Sequence, residues 1–136
     1  MTKKNIALIG NGYWGQVHLK YLEKSKKFNL KKIYYRNNKN NVDKNIFLRK
    51  ILTNNLNSIM YDRTIEYVDI VTPIDSHSGL VDKFLKHKKK ILVEKPLIMN
   101  KSQEKLFSKN KKKDKSCISI FIFVNITICK KDHKFK

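Results

Sequence analysis

The sequence predicts an α/β domain: a parallel sheet with helices on both faces. Three observations carry that prediction. Short apolar, β-branched runs alternate along the chain with stretches of helical periodicity. A glycine cluster, IGNGYWGQ at residues 9–16, falls directly after the first such run and opens the first helical stretch. Two later runs, VDIVT and ILVE, each stop at a proline, as strands running into loops do.

Taken in order, NIALI at residues 5–9 reads as a short buried strand. From Trp14 the apolar positions Trp14, Val17, Tyr21 and Leu22 follow helical spacing, and the helix ends in charge at Lys24 to Lys27. LKKIYY at 30–35 fits a second strand, and RNNKNN a loop. Residues 43–52 are expected to be helical, broken by Asn54 to Asn57, with a short third strand over Ser58 to Tyr61. VDIVT, residues 68–72, is a buried strand ended by Pro73. Asp75 or Ser76 then offers an N-cap for an amphipathic helix through Leu80, Val81, Phe84 and Leu85. ILVE, 91–94, is a further strand stopped by Pro96; Asn100 and Gln103 resemble a capping box before a helix over 101–109. ISIFIFVNI is strand-like. Strand and helix in alternation predict a Rossmann-type doubly wound sheet in three αβα layers.

At 136 residues there is room for one domain. Its expected extent is 1–115, with 116–136 as a last strand plus a basic tail, or as read-through of a shifted frame. The net charge of +20 raises the question of nucleic acid. The excess is mostly lysine, set at helix faces and ends, and no helix-turn-helix, zinc or RNP-like pattern accompanies it. A solvated surface is therefore expected and nucleic-acid binding is not. Cys117 and Cys129 form no CxxC and no metal-ligand spacing, so no metal site is expected. The N-terminal apolar run is too short for a signal-peptide core, and the run from Cys117 to Cys129 is too short to span a bilayer. A cytoplasmic protein without membrane partners is the expectation.

The chemistry resides in the glycines. Gly10, Gly12 and Gly15 fit G-x-G-x-x-G at a strand-to-helix turn. Gly10 permits the tight turn, Gly12 a close backbone approach to a pyrophosphate, and Gly15 close packing of helix on sheet. Asn11, Tyr13 and Trp14 complete the candidate phosphate-binding turn, whose N–H groups lie at the positive end of a helix dipole. The carboxylate that would hold an NAD ribose at the end of the second strand is not there. Tyr34-Tyr35-Arg36 stands in its place, and Arg36 suits a 2′-phosphate. The cofactor expected is NAD or NADP, tilted to NADP.

Together with these glycines, VDIVTPIDSHSGLVDKFLKHKKKILVEKPL resembles the glucose–fructose oxidoreductase / inositol dehydrogenase family, Gfo/Idh/MocA. Thr72, Pro73 and His77 resemble its loop after the fourth strand, and Glu94-Lys95-Pro96 its EKP motif. The resemblance covers residues 4 to about 110. It implies that Thr72, Pro73 and His77 line the dinucleotide near the nicotinamide. It also implies that Glu94, Lys95 and Pro96 sit beside the nicotinamide, and that Lys95 is catalytic, moving the proton of a substrate hydroxyl during hydride transfer. The implied partners are a small sugar-like or cyclitol substrate in the full-length enzyme and further copies of the chain in a homo-oligomer. Members of the family continue into a second α/β domain that supplies substrate contacts. Nothing after Pro96 resembles it, and His133 lies in a charged tail. The expectation is an NAD(P)-dependent oxidoreductase represented by its nucleotide-binding half, truncated before the substrate domain. The alternative is a stand-alone nucleotide-binding or sensing module without catalysis.

Overall fold

The computed structural model describes residues 2–36, 46–95 and 120–123. The described elements are β1 (Lys4–Ile9), α1 (Tyr13–Lys24), β2 (Phe28–Tyr34), α2 (Ile46–Ile51), β3 (Leu52–Thr53), α3 (Asn57–Met60), β4 (Tyr67–Ile70), a 3-10 turn (Ile74–Ser76), α4 (His77–Lys86), β5 (Lys90–Glu94) and β6 (Ile120–Phe123). The six strands form one sheet in the order β3-β2-β1-β4-β5-β6, and every pairing is parallel. Strand order reverses direction between β1 and β4. This is the switch point at which open α/β sheets leave a crevice beyond the carboxyl ends of their strands.

Period-two alternation divides the apolar residues between two cores. Ala7 and Ile9 of β1, Val68 and Ile70 of β4, and Ile91 and Val93 of β5 pack with Ile59, Val81 and Phe84 under α3 and α4. Ile6 and Leu8, with Leu92, face the opposite way and pack with Leu19 and Leu22 of α1 and Leu48 of α2. On β2 the alternation is broken. The β1–β2 register shifts between Ile6 and Ala7, pairing Ile6 with Leu30 but Ala7 with Lys32. The extra residue, Lys31, lets Leu30 and Ile33 bury on the same face at a spacing of three.

The sequence expectations differ from the structure at three places. Ser58 to Tyr61 is no strand: Asn57–Met60 is a helical turn that buries Ile59, and the third strand is Leu52–Thr53, paired with Ile33 and Tyr34. A side chain buried by one turn of helix carries no period that a sequence can show. The expected 43–52 helix is seen as Ile46–Ile51; residues 43–45 lie outside the described residues. Not every lysine is solvated either. Lys89 is buried, and its ammonium donates to the carbonyls of Asp62 (2.6 Å) and Ile65 (2.8 Å), tying the β4 approach to the end of α4. Burial pushes the Lys89 ammonium below its ordinary value, and the Asp62 charge offsets part of this. The helix expected over 101–109 lies outside the described residues. ISIFIFVNI contributes Ile120–Phe123, aligned with Ile91–Glu94.

Phe84 is the largest fully buried side chain among the described residues, and it joins α4 to β4 and β5. Phe84→Ala is expected to lower the unfolding free energy by about 3–5 kcal/mol, measured by urea denaturation. A loss below about 1 kcal/mol would mean that this core is not packed as described.

Candidate functional site

The glycine turn is built by two backbone contacts. Gly10 has φ +118°, and a Cβ there would stand 2.9 Å from the Val71 carbonyl oxygen. Only glycine holds that conformation at that distance. A Cβ on Gly15 would collide with the carbonyl of Gly10, so the first turn of α1 lies directly on the end of β1. Gly12 differs from both. A Cβ there would meet nothing within 4 Å. Packing therefore does not require a glycine at 12, and the space in front of it is open. Gly12 is the N-cap of α1 and makes no side-chain cap, so the first-turn N–H groups keep their affinity for an anion. Asn11 is held at the turn by Gln16, whose Nε2 donates to Asn11 Oδ1 (2.5 Å).

In front of this turn lies a cleft of about 570 Å³, within the usual range for small-molecule sites. Gly10, Asn11 and Gly12 form one wall, Thr72 and Pro73 another, and Arg36 at the end of β2 closes a third side. Lys83 and Gly79 of α4 also line it; neither was singled out from the sequence. Lys83 is an exposed helix lysine, and the packing of α4 beside the crevice gives it a wall position. The loop after β4 is fixed from within. His77 is buried, and its Nε2–H donates to the Thr72 carbonyl (2.7 Å). Ser76 Oγ donates to the Pro73 carbonyl (2.6 Å) and lies 2.7 Å from Thr72 Oγ1. Ser76 is the N-cap residue of α4, one of the two positions expected, but its hydroxyl points back along the chain and ties the loop, so α4 has no side-chain cap bond.

Of the residues singled out from the sequence, the cleft brings together Gly10, Asn11, Gly12, Arg36, Thr72 and Pro73. The others lie elsewhere. Tyr13 (78% exposed) and Trp14 (57% exposed) project from α1 and stack edge-on with ring centroids 5.5 Å apart. Gly15 lies beneath the turn, and His77 supports the loop from behind. Glu94 and Lys95 stand at the carboxyl end of β5, with Lys95 exposed. Pro96 lies outside the described residues.

A buried cluster next to Glu94 is not among the residues that the sequence motifs mark. His18 of α1 sits between two carboxylates: Nδ1 is 2.8 Å from Asp69 Oδ2 and Nε2 is 3.2 Å from Glu94 Oε1. The imidazole and Asp69 are almost wholly buried. A signal was available. Asp69 and Glu94 share strand parity with Leu92, so both point to the face that α1 covers, and His18 follows Gly15 by one helical turn. Burial alone would push the His18 imidazolium down; the hydrogen bonds and charges of Asp69 and Glu94 outweigh it and hold its pKa above the ordinary 6.5. Burial pushes the Asp69 carboxyl up, and the hydrogen bond and charge of His18 hold it back. Among the described residues no group of three or more His, Cys, Asp or Glu could hold a metal ion. No helix among them is long and apolar enough to cross a membrane.

The sheet order, the glycine turn at its switch point and the cleft define a dinucleotide-binding domain. The family pattern of the oxidoreductases with an NAD-binding Rossmann fold matches residues 4–121, and the chain belongs to that family, Gfo/Idh/MocA. No curated relative matches. Among solved structures, the chain is similar to the probable oxidoreductase yhhX, with 25% identity and a TM-score of 0.75 over 88% of this chain and 35% of that one. It is also similar in fold to GenD2 from gentamicin A biosynthesis, solved with NAD, at 20% identity and a TM-score of 0.76 over 89% of this chain and 35% of that one. Biliverdin reductase from Synechocystis sp. PCC 6803, solved with biliverdin and NADP+, matches at 18% identity with a TM-score of 0.73 over 89% of this chain and 38% of that one. The chain thus spans little more than a third of the length of these proteins.

Two predictions follow from the turn and the cluster. Gly15→Ala should cost about 1–3 kcal/mol of stability, because the Cβ meets backbone that must move. Gly12→Ala should cost about 1 kcal/mol or less, a cap effect without a clash; equal losses in thermal melts of the two variants would contradict these contacts. The second concerns pH. The folded state holds the His18 proton more tightly than the unfolded chain does. Its contribution is complete below the unfolded value of 6.5 and is lost as pH rises through the folded value. The melting temperature should therefore fall across that step in the native protein, and His18→Gln should remove the fall.

Proposed function

We propose that this chain binds a nicotinamide dinucleotide across the 570 Å³ cleft, with the pyrophosphate over Gly10–Gly12. In the complete enzyme it would serve hydride transfer at a sugar or cyclitol hydroxyl carbon. The observation that carries this reading is the pair of glycine environments. Gly15 is required by packing, whereas Gly12 faces open space at an uncapped helix start. A backbone cleared of side chain where nothing from the protein approaches is suited to a ligand's close approach.

The chain's own residues divide the work. The first-turn N–H groups of α1 and the wall formed by Thr72 and Pro73 hold and orient the dinucleotide. The nicotinamide held there would supply the hydride acceptor or donor. Lys95, at the end of β5, takes the hydroxyl proton as an alcohol becomes a carbonyl and gives it back in the reverse direction. Arg36 favours NADP over NAD, since its guanidinium borders the cleft where a ribose 2′-phosphate would lie. The substrate pocket would come from a part of the enzyme that these residues do not include, in keeping with the share of the neighbours' length that the chain covers. Cytoplasmic location and homo-oligomeric assembly belong to the same reading.

The test is titration of the chain with NADPH and with NADH, followed by Trp14 and nicotinamide fluorescence. Binding of NADPH or NADH is expected, and Gly12→Val should abolish it while the variant remains folded. Arg36→Ala should weaken NADPH about fivefold relative to NADH, the loss of an exposed charge-assisted contact of about 1 kcal/mol. Failure of the folded protein to bind either nucleotide would overturn the proposal.

A further inference from the structure

The His18 cluster joins the buried face of α1 to the strand end that carries Lys95. Glu94 is bound at both of its oxygens. Oε1 faces His18 Nε2 at 3.2 Å, and Oε2 accepts the backbone N–H of Lys95 at 3.2 Å. His18 is itself anchored by Asp69 at 2.8 Å, from the middle of β4. A continuous chain of hydrogen bonds therefore runs from the sheet interior through α1 to the peptide that starts residue 95.

The geometry points to His18 as a positioning residue: as an imidazolium it clamps the Glu94 carboxylate and so sets the orientation of the 94–95 peptide from which Lys95 extends. This rests on the reading of Lys95 as part of a dinucleotide site. Stoichiometry of donors supports it. The imidazolium has two N–H groups and faces two carboxylate oxygens, so both bonds form. With both carboxylates ionised, a neutral imidazole has one N–H and leaves either Asp69 or Glu94 without a donor. Asp69 is the more buried, and its bond is the shorter. Glu94, 23% exposed, can turn to water. Deprotonation of His18 would thus release Glu94, and with it the Lys95 peptide. The raised imidazolium pKa agrees with this geometry.

On the face around His18, β4 presents Asp69 and Tyr67, β5 presents Glu94 and Lys90, and β1 presents Lys4 beside the apolar Ile6 and Leu8. Lys90 Nζ lies 3.5 Å from the Tyr67 hydroxyl, and Lys4 pairs with Glu66 at 3.5 Å. On α1 itself Tyr21 shares with His18 and Asp69 the wall of a small cavity of about 190 Å³, otherwise lined mainly by Leu22, Phe28 and Leu92. Among these groups His18 contacts the Glu94 carboxylate, so a pH-dependent change at residue 95 above the ordinary imidazole value of 6.5 should report His18.

The experiment follows the Lys95 amide resonance and the His18 ring nitrogens of the 136-residue chain by NMR across pH, alongside NADPH affinity. In the native protein the Lys95 amide should shift in the same step in which His18 loses its proton, and NADPH affinity should fall about tenfold across it. In His18→Gln both changes should be absent, with affinity at neutral pH equal to the native protein's alkaline value. Glu94→Ala leaves the buried His18–Asp69 bond in place and serves if His18→Gln does not fold. It should also uncouple the Lys95 amide from His18, whose pKa should drop. A Lys95 amide indifferent to the His18 step, or a step that persists in either variant, would overturn the inference. If the native protein binds neither nucleotide, the proposed function falls, and the Lys95 amide alone decides the role of His18.

Discussion

The contact of Gly15 on the carbonyl of Gly10 is the constraint from which the rest of the site follows. It sets the first turn of α1 against the end of β1 with no side chain between them. The consequences run in both directions along the helix. Toward its start, Gly12 is carried to the mouth of the crevice, where an uncapped helix terminus faces open space. Toward its end, one turn on, His18 is brought over the sheet between Asp69 and Glu94. A bulkier residue at 15 would lift the helix and disturb both features together.

This dependence explains how a chain of modest size carries a preorganised cleft. β1 is central and fully buried over Ile6 to Ile9, paired on one side with β2 and on the other with β4. Its last residue and those beyond it are tied to their neighbours: Gly10 N–H to the Tyr34 carbonyl, and Val71 N–H to the Ile9 carbonyl. The three loops that meet at the crevice are thus fastened to one another by backbone bonds. His77 and Ser76 then hold the third loop by bonding to its carbonyls. Rigid backbone at a ligand site lowers the ordering cost of binding.

Some features of the site could be read directly. Gly10, Gly12, Thr72 and Pro73 lie at strand ends, and a strand end in a parallel sheet is legible from an apolar run stopped by glycine or proline. Arg36 was legible for another reason: it follows the second strand where a ribose-binding carboxylate is expected. His18 and Asp69 were not, although parity pointed Asp69 to the α1 face. An isolated histidine in a helix and an aspartate within VDIV each have a plain structural reading. Only their 2.8 Å approach across 51 residues makes them a unit. Lys89 shows the same limit from the other side. Within HKKK, nothing but the tertiary fold separates the buried lysine from its solvated neighbours.

The sequence by itself determined the alternation of strands and helices, the place of the glycine turn and the family, because these depend on local periodicity and on residues that backbone geometry requires. Tertiary structure alone decided that residues 58–60 belong to a turn of helix that buries Ile59, that Leu30 and Ile33 share a face across a bulge at Lys31, and that His18 is held between two carboxylates. Each of those is a contact between segments far apart in the chain. Its free energy depends on burial and on the charge opposite, quantities that exist only once the sheet is assembled.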